Sequence, residues 1–210
     1  MDIELLKLET KLKEKYLNSA DDLIRYVLFE MQSPIEDYFL AIDLLAENYP
    51  RSRDIRIAIL GAYLSSTWLN FKENKFLRLL KPHLANASNQ NKAIIYYLYA
   101  YDIYMKYDNK YPPEYSEQLR TSIMYAKRFV YNYVRLAEIT NKQEASSLLT
   151  QAIANVETVR NETQLKDISP DLFLKYDFFI DEFILGVDIS IYEYNDLLAK
   201  KQQLRHLKKS

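Results

Sequence analysis

Helix-start signals punctuate this chain at a roughly steady interval. Ser33-Pro34-Ile35-Glu36 reads as a capping box with proline at the first helical position. Ser52, two residues after Pro50, precedes the apolar run Ile55 to Leu64. Asn141-Lys142-Gln143-Glu144 sets the same box with asparagine as the cap, and Ser169-Pro170-Asp171-Leu172 repeats the Ser-Pro opening. Each offers a side-chain oxygen to the N–H groups that a first helical turn leaves without an intrahelical partner. Between these signals apolar residues recur at helical spacing, and no stretch shows the sustained alternation of a strand bounded by hairpin turns. The two glycines, Gly61 and Gly186, are too few for tight hairpins or a phosphate-cradling loop. The expected fold is all-α.

The spacing predicts about ten helices. The first covers residues 2–17 and breaks at Asn18-Ser19; the second covers 21–32. The third carries Tyr38, Ala41, Ile42, Leu45 and Tyr49 on one stripe and stops at Pro50. A fourth spans 53–71, and a fifth begins near Glu73 and meets Pro82. The sixth runs from Asn91 to Tyr107, the turn Asn109 to Pro113 follows, and one long seventh helix runs from Pro113 to Thr140. The eighth covers Lys142 to Arg160, the ninth Pro170 to Gly186 and the tenth Ile189 to Lys209. In the first half helix pairs recur at about 40 residues, within the range of helical solenoids. The expected architecture is therefore antiparallel helix pairs stacked as a short right-handed solenoid. It forms a single domain over 1–210, with N-terminal helices at 1–32, helix pairs at 33–160 and capping helices at 169–210.

Composition narrows the function classes. The absence of cysteine excludes disulfides and thiolate metal sites. A net charge of −1 gives no strong long-range pull on nucleic acid or anionic membrane. The start Met1-Asp2-Ile3-Glu4 lacks the basic, then apolar, pattern of a secretory signal. The uncharged run Ile57 to Phe71 is interrupted by Ser65, Ser66, Thr67 and Asn70 and is shorter than the about 20 apolar residues of a bilayer span. A cytoplasmic protein with no membrane segment is expected.

Ile57, Leu60, Gly61 and Leu64 sit at the spacing of the first-helix pattern of tetratricopeptide repeats. A small residue at Gly61 would let a neighbouring helix approach closely. Ala46, shortly before Tyr49-Pro50, is similar to the end of that family's second helix. So is Glu144 to Asn155, with Ala145, Leu148, Leu149, Ala152 and Ile153. Over residues 34–85 and 120–160 the chain thus resembles the tetratricopeptide-repeat family. The resemblance implies protein–protein binding through a concave face that takes a peptide or a partner helix.

Tyrosine is the strongest compositional bias, at 19 residues. On a helical period Tyr97, Tyr101 and Tyr104 share one face, while Tyr96, Tyr99 and Ile103 lie round the side. A tyrosine offers an apolar ring with a polar tip, which suits a half-wet groove. Tyr63, Tyr97, Tyr101, Tyr104, Tyr125 and Arg128 are the candidate binding residues, and ordinary core packing of these rings is the other open reading. Tyr125, Lys127, Arg128, Tyr131, Tyr133 and Arg135 mix aromatics with cations, as single-strand binders do. They scatter over several helix faces, so nucleic acid is not the expected partner. The basic tail from Lys200 to Lys209 reads as a solvated helix end.

Asp177, Asp181 and Glu182 gather carboxylates, but the only histidines, His83 and His206, stand far from them in sequence. His83 reads as a capping or surface residue, and Trp68 as a core anchor. No H-E-x-x-H, Walker loop or G-x-S-x-G elbow occurs. No catalytic residue, metal ligand or cofactor is assigned. The expected function is a non-catalytic, protein- or peptide-binding helical-repeat adaptor, monomer or homodimer. The alternative is a small-ligand sensor or enzyme with a pocket inside the helical array.

Overall fold

The computed structural model describes residues 3–32, 38–68, 74–107, 111–127 and 129–163, with Tyr176 and Ala199. Among the described residues there are nine α-helices, one 3-10 turn and no strand, as an all-α chain requires. The chain divides into two compact units, residues 1–85 with 168–179 and residues 86–167 with 180–210. The expected ninth and tenth helices, the Ser33-Pro34 opening and the side chain of Trp68 lie outside the described residues.

The first unit holds α1 (Ile3–Lys13), α2 (Ala20–Gln32), α3 (Tyr38–Ser52), α4 (Ile55–Trp68) and α5 (Lys75–Leu80), followed by the 3-10 turn Lys81–His83. Ser19 starts α2: its hydroxyl accepts the Asp22 N–H at 3.1 Å and donates to the Asp22 carboxylate at 2.7 Å. This reciprocal cap satisfies an orphan donor and places acid at the positive end of the helix dipole. Leu23, Ile24, Tyr26, Val27 and Leu28 are all buried, so α2 is a core helix on nearly every side. The buried carboxylate of Glu30 takes a hydrogen bond from Tyr26, whose phenol is held well above its ordinary range by burial and by that carboxylate.

The third helix does not stop at Pro50 but runs through it to Ser52. A proline here forfeits only the bond its own missing N–H would make, and the Arg53 N–H still reaches the Tyr49 carbonyl at 2.8 Å across it. What ends α3 is Arg53, held at φ 49° in the left-handed region. Asp54, not Ser52, then caps α4, its Oδ1 accepting the Arg56 N–H at 2.9 Å. The Arg56 guanidinium bonds Asp54 and Asp21, each at 2.6 Å, and ties the starts of α2 and α4 together.

α4 is the most enclosed helix of this unit: Ile57, Ala58, Ile59, Leu60, Ala62 and Leu64 have no measurable exposure. Gly61 is the close-approach point that the sequence suggested. A Cβ there would fall under 3.0 Å from three atoms of the Phe76 ring. Asn74 fixes α5 against the same helix. Its Oδ1 accepts the Phe76 N–H at 3.1 Å, while its Nδ2 donates to the Ala62 carbonyl at 2.8 Å and to the Ser66 hydroxyl at 2.7 Å. One buried amide therefore caps α5 and satisfies two acceptors of α4.

The second unit holds α6 (Asn89–Lys106), α7 (Pro113–Tyr125), α8 (Val130–Ile139) and α9 (Lys142–Thr163). Ser88 caps α6 through the Asn91 N–H at 3.2 Å. The predicted asparagine cap of α9 forms: Asn141 Oδ1 accepts from Gln143 N and Glu144 N, both at 3.1 Å. Glu144 does not fold back on the cap but pairs with Arg120 of α7 at 2.6 Å.

The single long helix expected over 113–140 is two helices. Ala126 adopts φ −138° and ψ 94°, and the chain resumes as helix only at Val130. No glycine or proline marks this break; tertiary contacts make it. On an unbroken helix residues 122 and 132 would stand about 15 Å apart along the axis. Here the fully buried Asn132 instead donates to the fully buried Ser122 hydroxyl at 2.6 Å. Ser122 donates in turn to the Ala93 carbonyl of α6 at 2.5 Å. Asn155 of α9 holds the connector by donating to the Lys127 carbonyl at 2.6 Å. Phe129, also in the connector, is buried completely against Tyr97, ring centroids 4.8 Å apart. Tyr115, Leu119, Val130, Leu136, Leu149 and Ala152 complete this core.

Candidate functional site

The first unit carries a groove that begins on α3. Phe39, Ile42, Asp43, Ala46, Tyr49 and Pro50 follow one another at helical spacing and form one stripe. Lys75, Phe76 and Leu79 of α5 form the opposite wall, and Ser65 of α4 contributes to the lining between them. Together they enclose about 480 Å³. Phe39 stands 64% exposed in this lining, an aromatic ring with no core to enter.

Tyr49 braces the two walls. Its hydroxyl lies 2.8 Å from Nε2 of His83 and 3.3 Å from the Leu79 carbonyl. Burial pushes the Tyr49 phenol up from its ordinary value, so it stays protonated and can donate. His83, expected to be a cap or a surface group, is half-buried and has this partner instead. Asp43 on one wall and Lys75 on the other are exposed, and neither makes an ion pair among the described residues. The result is an apolar trough with one charge of each sign on its two sides.

Tyr63 lies half-buried on α4 of the first unit. Tyr97, Tyr101, Tyr104 and Tyr125 belong to the second unit, and Arg128 lies outside the described residues. Tyr97, Tyr101 and Tyr104 do come together on one face of α6, with successive ring centroids 6.4 Å apart. Tyr104 continues into Tyr111 at 5.5 Å and Tyr115 at 5.9 Å. Tyr125 joins a different group: it stacks on Tyr96 at 5.7 Å, with Lys92 Nζ 5.4 Å from its ring centre. Beside the trio, Ala100, Tyr115, Leu119 and Arg135 help close a void of only about 10 Å³, the room of roughly one water. Burial pushes the Tyr115 phenol up to about 12, against the opposing pull of the Arg135 cation.

The α3–α5 groove was not singled out from the sequence. Its signal was there in Phe39, Ala46 and Pro50, which continue the α3 stripe beyond the residues needed for the core. Asp177, Asp181, Glu182 and His206 lie outside the described residues. Among the described residues no group of three or more His, Cys, Asp or Glu could hold a metal ion. No described helix is long and apolar enough to cross a membrane.

No protein-family model, curated protein or solved structure matches the chain.

Proposed function

We propose that the protein is a non-catalytic, peptide-binding helical array and that its binding site is the groove between α3 and α5. The carrying observation is that groove: about 480 Å³, walled chiefly by apolar side chains, with its charged groups on the two sides. Exposed apolar concavities of this kind gain free energy when a partner's side chains displace water from them. The tyrosine face of α6 is a weaker choice, because its rings close on one another around a void of about 10 Å³.

We read the helices of each unit as antiparallel neighbours in a tetratricopeptide-like solenoid. Two-residue connections between α3 and α4 and between α8 and α9 support this, since so short a link turns a helix back on its predecessor. A small apolar molecule is the second reading. The groove volume falls inside the about 300–1,000 Å³ usual for ligand pockets.

Peptides selected by display on the full-length protein would be titrated against isotope-labelled protein. Shifts confined to the Ile42, Ala46 and Leu79 methyls, together with loss of binding in Ala46→Arg, would support the reading. Ala46 is exposed and helical, so arginine fills the groove without entering the core. Selected peptides that bind Ala46→Arg as well as they bind the parent would reject it. Selection of no peptide, with saturable binding of an apolar dye that stabilises the fold, would favour the small-ligand reading.

A further inference from the structure

We infer that the α3–α5 groove takes one amphipathic helix of a partner protein, with a basic residue of that helix beside Asp43 and an acidic residue beside Lys75. This rests on the peptide-binding reading above and adds the conformation and charge pattern of the occupant.

The conformation follows from what the walls offer. They are helices, and apart from the Ala46 carbonyl, which Pro50 leaves without its usual donor, most of their backbone groups are bonded within the helix or capped. The lining therefore presents side chains, most of them apolar: Ile42, Ala46, Phe76 and Leu79. An extended peptide laid here would bury backbone N–H and C=O groups with almost nothing to bond. Each such group weakens association by a factor of roughly five or more. A helix carries its own backbone bonds and shows only side chains to the groove. The α3 wall from Phe39 to Pro50 is about 16 Å long at 1.5 Å per residue, which matches about three turns of a partner helix.

The charge pattern follows from Asp43 and Lys75. Both are exposed, both line the groove, they sit on opposite walls, and among the described residues neither has an ion-pair partner. A helix with its apolar face down presents one flank to each wall. Turning the helix end for end exchanges its flanks, so a helix with one basic and one acidic flank can satisfy both walls in one direction. A helix with like charges on both flanks meets one repulsion in either direction.

The test uses a displayed library of peptides of about 15 residues, long enough to hold a helix. The apolar face is randomised, and the flanks are fixed as mixed, all-lysine or all-glutamate. On the full-length protein the mixed class should be enriched roughly three- to tenfold over either uniform class at low salt, the difference shrinking as salt rises. Asp43→Lys should transfer the preference to the all-glutamate class, and Lys75→Asp to the all-lysine class. Copies with two prolines at mid-peptide should lose binding.

Groove-dependent binding that ignores flank charge, or that survives the prolines, would overturn this inference and leave the peptide-binding reading standing. Absence of any class that Ala46→Arg abolishes would overturn both. A dimer of the parent protein that Ala46→Arg dissociates would assign the groove to a second copy and overturn the inference as well.

Discussion

The packing of Gly61 on Phe76 can be tested by a change of sign. In an ordinary helix Gly→Ala stabilises by about 1 kcal/mol, because alanine has the better helix propensity. At Gly61 the new Cβ would fall under 3.0 Å from Cδ1, Cε1 and Cζ of a ring that is itself only 4% exposed. Overpacking a filled core costs about 1–3 kcal/mol. The net expectation is a loss of about 1 kcal/mol, which for a chain of this length lowers Tm by about 2–4 °C. Shortening the ring removes the obstacle. In a Phe76→Leu background Gly61→Ala should therefore raise stability by up to about 1 kcal/mol. The assay is thermal and urea unfolding of the four proteins of the cycle. A Gly61→Ala protein as stable as the parent, or one destabilised equally in both backgrounds, would refute the close-approach argument. Phe76 also lines the groove, so a ring driven outward would narrow it. Weaker peptide binding by Gly61→Ala at full folding would show that escape route.

Asn74→Ala removes a cap and two buried donors, and should cost about 2–4 kcal/mol in urea unfolding. Asn74→Asp keeps the cap oxygen but buries a charge beside the Ala62 carbonyl, so its stability should recover on acidification, read as a rising midpoint. Ser122→Ala should destabilise by about 1–3 kcal/mol, and adding Asn132→Leu should cost less than the sum of the single changes, because the two share one network. The Tyr115 phenol, pushed up to about 12 from an ordinary 10.0, gives stability that is whole below pH 10 and is lost as pH rises toward 12. Up to about 2–3 kcal/mol rides on that window. Alkaline unfolding followed by circular dichroism should lose that component in Tyr115→Phe.

The all-α class, the asparagine cap at Asn141 and the small-residue approach at Gly61 were legible because each is encoded within a few residues. Periodicity needs only one face, a cap needs a side chain one turn away, and a lone glycine inside an apolar run demands a neighbour. The break between α7 and α8 was not legible. Residues 126–129 contain neither glycine nor proline, and the break is imposed by Ser122 and Asn132 meeting ten positions apart, by Asn155 on the connector carbonyl and by the burial of Phe129. Pro50 misled in the opposite direction, since a proline in the last turn loses a single bond while Arg53 sets the actual end. The tyrosine-rich face of α6 drew attention by composition. Composition cannot distinguish rings that close on one another from rings that leave space.

That distinction explains why the groove lies where it does. α3 is 15 residues long, whereas α5, across the groove, has only 6 before the 3-10 turn at Pro82. Asn74 and the Gly61–Phe76 contact draw the start of α5 onto α4, and at Lys81–His83 the chain passes into a 3-10 turn. Tyr49, bonded toward His83 and Leu79, braces the gap between α3 and the end of α5. The stripe from Phe39 to Pro50 is thus amphipathic toward a neighbour that α5 is too short to supply. A partner helix of about three turns would cover that stripe, with Asp43 of α3 on one flank and Lys75, the first residue of α5, on the other.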